Sequence, residues 1–175
     1  KGKYWNIYIP TNSVKRFVYV SSSEVYGTAV TVPMDETHPC EPTTVYGASK
    51  LAGEKYALAY HRTYGMQSIV VIPFNTYGPR EHFEGAYGEV IPKFVLRALN
   101  DQPPVIFGDG LQTRDFTYVA DTVKGIIAAY ESDGMIGQTV NIARGEEVSI
   151  KELAEKIYKK LGKPHIKPVF EKERP

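Results

Sequence analysis

The sequence predicts an α/β fold built on a parallel sheet, and three observations predict it. Two short apolar, β-rich runs, residues 16–22 and 67–73, break into polar residues at their carboxyl ends, as buried parallel strands do. One helical segment lies between them on short links, the order of a right-handed crossover unit. Residues able to do chemistry gather around Ser22 and Asn75, beyond the strand ends where ligands of such sheets bind.

Each element has a local cause. After the first strand, Gly27, Pro33, Pro39 and Pro42 mark a loop. Thr43 or Thr44 is placed to cap a helix that runs through Tyr46 to about Tyr64, where Gly65 stops it. The second strand ends at Pro73 and gives way to the loop Phe74-Asn-Thr-Tyr-Gly-Pro-Arg80. Residues 81–88 read as a polar loop, and 90–100 as a helix entered through Pro92. Residues 104–107 form a short strand closed by Gly-Asp-Gly, 113–118 are extended, and Asp121 leads an amphipathic helix to about Tyr130. A further strand covers 139–143. Ser149 with Glu152 makes a capping box for a last helix ended by Gly162, and 167–171 are strand-like. Residues 1–14 show no helical period, and Pro10 interrupts them.

Composition bounds the class. At 175 residues, 42% hydrophobic and 23% charged, the chain is an ordinary globular polypeptide of about one domain. A net charge of +1, with positive residues scattered, argues against a nucleic-acid surface. The single cysteine, Cys40, has no partner for a disulfide or a Cys-rich metal site, which fits a reducing cytoplasm, and no metal ligand set is expected. No apolar run reaches the roughly 18 residues that span a bilayer, so no membrane association is expected. Thirteen tyrosines suit a cleft that packs rings against a polar ligand.

Tyr46 and Lys50 stand four residues apart, about 40° around a helix, so both can face one cleft. A cation beside a phenol favours its ionised form, which makes the pair a candidate for taking a proton from a sugar hydroxyl. The spacing alone also describes two amphipathic side chains on a helix surface. The order of the surrounding segments is what selects the chemical reading.

Four segments carry a resemblance: Val20-Ser-Ser-Ser-Glu-Val-Tyr-Gly27, Tyr46-Gly-Ala-Ser-Lys50, Pro73-Phe-Asn-Thr-Tyr-Gly-Pro-Arg80, and Phe107-Gly-Asp-Gly-Leu-Gln-Thr-Arg-Asp-Phe-Thr-Tyr-Val-Ala-Asp121. From Arg16 onward the chain resembles the extended short-chain dehydrogenase/reductase family, specifically its NAD-dependent nucleotide-sugar epimerases and dehydratases. The resemblance implies the C-terminal half of a doubly wound Rossmann-like parallel sheet plus part of a small α/β substrate domain. Residues 1–80 would belong to the first and 81–175 to the second, with 115–145 a candidate to return and pack on the Rossmann-like domain.

The resemblance also implies roles. Tyr46 would deprotonate the sugar 4-hydroxyl, Lys50 would hold the nicotinamide ribose of NAD, and Ser22 would hydrogen-bond O4. Pro73 and Phe74 match the stretch that passes the nicotinamide. Asn75 and Arg114 match the residues that bind the substrate diphosphate, a target suited to a guanidinium. Val90 and Phe107 match positions lining the nucleotide-base pocket, and Arg80 either reaches the cleft or ends its loop. The pair Ser23-Glu24 decides the reaction type. In 4,6-dehydratases this place holds Asp-Glu, and Ser23 cannot protonate a leaving hydroxyl as a carboxylic acid can. Ser-Glu occurs in nucleotide-sugar decarboxylases and in some 4-epimerases, and a solvated loop carboxylate at Glu24 is the other reading.

Departures from the pattern count too. The family's Gly-x-x-Gly-x-x-Gly loop, which admits the NAD pyrophosphate to a helix N-terminus, is not among these residues. Ile72 stands where many relatives have arginine. The expectation is therefore a fragment, inactive by itself, of a cytoplasmic NAD-dependent UDP-glucose/UDP-galactose 4-epimerase that works as a homodimer at full length. A 4,6-dehydratase, a UDP-glucuronate decarboxylase, and a catalytically silent chain or binding scaffold are the alternatives.

Overall fold

A computed structural model describes residues 14–85 and 88–172. The readings made of residues 1–13 and of Glu173, Arg174 and Pro175 lie outside the described residues. In chain order the elements are β1 (Phe17–Val20), α1 (Val45–Tyr64), β2 (Ser68–Pro73), β3 (Thr76–Tyr77), α2 (Val90–Leu99), β4 (Val105–Phe107), β5 (Thr113–Asp115), β6 (Thr117–Tyr118), α3 (Val119–Glu131), β7 (Thr139–Ile142), β8 (Glu147–Ser149), α4 (Ile150–Lys160) and β9 (Val169–Glu171). Single 3-10 turns occupy Ser23–Val25 and Asp133–Met135. No helix among the described residues is long and apolar enough to cross a membrane. The described residues up to Pro73, with Lys124–Ile142, form one compact unit; Phe74–Val123 and the residues from Ala143 onward form a second.

The first unit is a parallel sheet in the order β1-β2-β7. Phe17 pairs with Ser68 and Val20 with Val71; Val70 pairs with Thr139 and Pro73 with Ile142. The run from Ser68 to Ile72 is buried throughout, as a middle strand covered on both faces requires. Ile69 and Val71 pack with Ala129, Ile126, Val140 and Ile142, while α1 packs on β2 as well. β1 departs from the fully buried strand that its sequence suggests: Phe17 and Val20 are 40% and 41% exposed. Its described neighbour is β2 alone, and of its valines only Val18 joins the core around Ile69.

Helix α1 has the ends its sequence predicts. The Thr44 hydroxyl accepts from Gly47 N at 2.9 Å, and Gly65 closes the helix in the left-handed region at φ 69°, a conformation that costs glycine nothing.

In the second unit, α2 and α4 pack through Phe94, Ala98, Ile150, Ala154 and Tyr158, with Ile106 of β4 completing the core. The Tyr158 hydroxyl donates to Gln102 O at 2.7 Å, and burial pushes its phenol up. β4 pairs with β9 and β3 with β6 in parallel, and β5 pairs with β8 antiparallel. The capping box at Ser149 and Glu152 is present.

Three further details differ from expectation. The 74–80 loop contains β3, because Thr117 N donates to Asn75 O at 3.2 Å and opens a two-residue ladder with β6. Helix α3 begins at Val119, two positions ahead of the expected Asp121, as β6 runs straight into it. β8 was not expected; three residues give no readable period, and its pairing with β5 defines it.

Candidate functional site

In the first unit the site is built where β1 ends. Ser21 N donates to Val71 O at 2.8 Å and carries the parallel ladder one residue past β1. Ser22 then caps the 3-10 turn: its Oγ accepts from Glu24 N at 3.3 Å. Ser23 is half-buried and Glu24 exposed within that turn. The Glu24 carboxylate accepts from the Thr44 hydroxyl at 2.7 Å, and Thr44 Oγ accepts in turn from Gly47 N. The turn therefore lies against the first turn of α1. Contact is so close that a Cβ on Gly47 would sit 2.6 Å from Glu24 O.

Tyr46 follows the cap and is 53% exposed. One turn on, Lys50 lies between two phenols, its Nζ 5.7 Å from the centre of the Tyr46 ring and 5.5 Å from that of Tyr19. The same ammonium donates to Val20 O at 3.0 Å. Gly53 leaves the space that the Tyr19 ring fills. Beneath this layer Glu54 is 2% exposed and takes a hydrogen bond from the Ser21 hydroxyl. Burial pushes the Glu54 carboxyl up, with Ser21 and Lys55 pulling part of the way back. Burial likewise raises the Tyr19 phenol, and the charges at Glu54 and Tyr46 add to that. Pro73, half-buried, ends β2.

The other expected site residues lie in the second unit. Phe74 is buried. The Asn75 amide donates to Asp115 O at 3.0 Å. The Asp115 carboxylate accepts from Arg144 N at 3.0 Å and Gly145 N at 2.7 Å, so one residue ties the asparagine to the turn after β7. Arg114 is exposed, with its guanidinium donating to Thr113 O at 2.8 Å. Arg80 is exposed and held at φ 68°, uncommon for a side chain with a Cβ. Val90 and Phe107 line one cavity of about 490 Å³, shared with Lys93, Phe94, Leu96 and Arg97.

The donor set fits one end of NAD. An ammonium carries three donors, and Val20 O takes one from Lys50; with the exposed Tyr46 hydroxyl beside it, the pair suits a ribose bearing a nicotinamide. The chain contains no Gly-x-x-Gly-x-x-Gly run, so the fit extends to that end alone. Sequence reasoning passed over three residues. Thr44 was read only as a cap, and its hold on Glu24 has no sequence signal. Tyr19 looked like an ordinary strand residue. Glu54 had one available signal, its place four residues after Lys50 on the same helix face.

A parallel α/β unit that presents a serine, a tyrosine and a lysine beyond a strand end is the hallmark of the extended short-chain dehydrogenase/reductases. The chain belongs to the NAD dependent epimerase/dehydratase family, whose family model matches residues 8–143. It is 41% identical over 150 residues to a Methanocaldococcus jannaschii protein whose name, UDP-glucose 4-epimerase, is itself provisional; the match covers 85% of this chain and 48% of that protein. Among solved structures it resembles the UDP-N-acetylglucosamine 4-epimerase of Methanobrevibacter ruminantium in complex with UDP-N-acetylmuramic acid. There the TM-score is 0.88 at 37% identity, covering 94% of this chain and 52% of that one. It also resembles the dTDP-glucose 4,6-dehydratase of Streptomyces venezuelae with NAD bound, at TM-score 0.81 and 34% identity, covering 92% and 48%. The chain spans about half the length of the curated relatives it matches.

Proposed function

We propose that the protein carrying this chain is an NAD-dependent nucleotide-sugar 4-epimerase that acts through a transient 4-keto sugar, with UDP-glucose and UDP-galactose the leading pair. The observation that carries this choice within the family is the turn after β1. Ser23 supplies no carboxylic acid, and the Glu24 carboxylate is engaged by the Thr44 hydroxyl, so the turn lacks the free acid–base pair that removal of water would need.

Bound NAD supplies hydride acceptance and return at the sugar C4. Tyr46, exposed at the start of α1, takes the 4-hydroxyl proton and gives it back. Ser22 holds O4 by hydrogen bond from the strand end. Lys50 anchors the ribose through its ammonium and keeps positive charge beside the Tyr46 ring. Pro73 and Phe74 pack against the nicotinamide. Asn75 and Arg114 bind the substrate diphosphate, Arg80 adds charge at the loop end, and Val90 with Phe107 receives the nucleotide base, a role supported by the cavity they share. We assign the protein to the cytoplasm and to a homodimer, readings that rest on the lone Cys40 and on the family resemblance.

Product analysis tests the proposal. The NAD-loaded protein is expected to interconvert UDP-glucose and UDP-galactose, and Tyr46→Phe to lower kcat by about 10²-fold or more. A 4-keto-6-deoxy sugar as product, or carbon dioxide from UDP-glucuronate, would overturn the epimerase assignment. A wild-type rate in Tyr46→Phe would overturn the base.

A further inference from the structure

Three consecutive residues at the end of β1 each meet α1 differently. The Tyr19 ring lies under the Lys50 ammonium and fills the space left by Gly53. The Val20 carbonyl accepts from Lys50. The Ser21 hydroxyl donates to Glu54, and both residues are buried, at 3% and 2% exposure. On the opposite side the Ser21 backbone is fixed to β2 through Val71 O. The next residue is Ser22, which starts the 3-10 turn.

Of these ties, the Ser21–Glu54 bond is the one made between two buried side chains, where a hydroxyl or carboxyl left unpaired is costly. Sheet pairing sets the height of Ser21 along β2, but it does not set the distance from strand end to helix. A side-chain bond across that gap does. Lys50 and Glu54 are one turn apart on the same face of α1, so the residue that receives Ser21 stands in fixed relation to the ammonium beside Tyr46. The groups facing Glu54 electrostatically are Tyr19, Tyr26, Cys40 and Lys55, and the hydrogen bond its carboxylate accepts across the gap to the strand end comes from the Ser21 hydroxyl.

We propose that Ser21 and Glu54 are a positioning pair, whose buried hydrogen bond sets the placement of Ser22 against Tyr46 and Lys50. Neither residue touches substrate; each acts through Ser22. The catalytic part of this inference rests on the proposed function, while the structural part does not.

The test uses Ser21→Ala, Glu54→Leu and Glu54→Gln in the full chain, with two readouts. In amide hydrogen exchange, Ser21→Ala and Glu54→Leu are expected to speed exchange at Ser22, Ser23 and Glu24 by about fivefold or more relative to Val70 of β2. Glu54→Gln, whose amide oxygen can still accept from Ser21, is expected to remain near wild type. In the NAD-loaded protein, Ser21→Ala is expected to lower kcat with KM unchanged, a split that general loosening of the fold does not produce. Unchanged exchange at Ser22 to Glu24 in both Ser21→Ala and Glu54→Leu overturns the pair, as does Glu54→Gln behaving like Glu54→Leu. If Glu54→Leu fails to fold, Ser21→Ala and Glu54→Gln carry the test. Tyr46→Phe in the same turnover assay separates the two layers. Loss of turnover in Tyr46→Phe with wild-type kcat in Ser21→Ala overturns the positioning role alone. Wild-type turnover in Tyr46→Phe overturns the site assignment, and the exchange result then stands by itself.

Discussion

Replacing Gly47 by alanine tests the closeness of the turn to α1 through a single methyl group. A Cβ there would lie 2.6 Å from Glu24 O, 3.1 Å from Glu24 C and 3.0 Å from Pro42 Cβ. The first two are backbone atoms, which cannot swing aside as a flexible side chain can. Relief requires the turn to move by about 0.9 Å at Glu24 O, since contacts are comfortable only near 3.5 Å. That movement stretches the 2.7 Å bond from Thr44 to Glu24. Opposing it, alanine is the better helix former by up to about 1 kcal/mol. Overpacking costs about 1–3 kcal/mol, so the crowding term wins and the variant loses about 1–2 kcal/mol.

For a chain of 175 residues, each kcal/mol moves the melting temperature by about 2–4 °C, so Gly47→Ala should melt about 2–8 °C below wild type. Gly134→Ala is the control. Its nearest atom is Ser132 Oγ at 3.7 Å, and the lost freedom of the unfolded chain should make it neutral or stabilising by up to about 1 kcal/mol. Thermal melts of the three proteins decide the matter. A Gly47→Ala melting temperature at or above wild type would refute the crowding argument, and equal losses in both variants would show that the effect is not local to the turn.

Two further outcomes follow from buried groups. Because burial raises the Glu54 carboxyl above its ordinary value of 4.5, the folded state binds more proton than the unfolded state just above that pH, and wild-type stability falls as pH rises through the raised value. Glu54→Gln has no such titration, so urea midpoints from about pH 4 to about pH 8 should shift progressively in its favour; a constant difference would contradict the raised carboxyl. In the second unit, Phe94 is 2% exposed at the centre of the α2–α4 core, and Phe94→Ala should cost about 3–5 kcal/mol. Urea unfolding checks this, and a loss below about 1 kcal/mol would mean the core can collapse around the gap.

What was legible in the sequence was what neighbours along the chain decide. Thr44 and Gly65 bound α1, Ser149 with Glu152 opens α4, and the unbroken apolar run of β2 announces a covered strand. What was not legible depends on partners far away in sequence. Val20 reads as core and is exposed, because its surroundings follow from which strands flank β1. Glu54, whose one signal along the chain is its spacing from Lys50, is buried because Ser21, 33 positions earlier, meets it. The motifs named the candidate residues Ser22, Tyr46 and Lys50, but the supports behind them came only with the register of β1 on β2 and the packing of α1.

Those supports explain why an exposed tyrosine can be a defined group. A half-exposed phenol on a helix surface would ordinarily sample several rotamers, and proton transfer loses rate steeply with misplacement. In the first unit the fixed elements lie behind the candidate residues. The backbone of Ser21 is tied to β2, its hydroxyl to Glu54, the Val20 carbonyl to Lys50, and the following turn to Thr44 and to the bare backbone of Gly47. Each tie uses a different type of group, so no single substitution frees the whole strand end. The same arrangement bears on Glu24. A carboxylate that holds Thr44 contributes to the rigidity of the turn only while it stays there, and a role in moving protons on substrate would require it to leave. Support and second acid–base group are competing uses of one side chain, and under the proposed 4-epimerase reading, with serine at position 23, the turn serves as support.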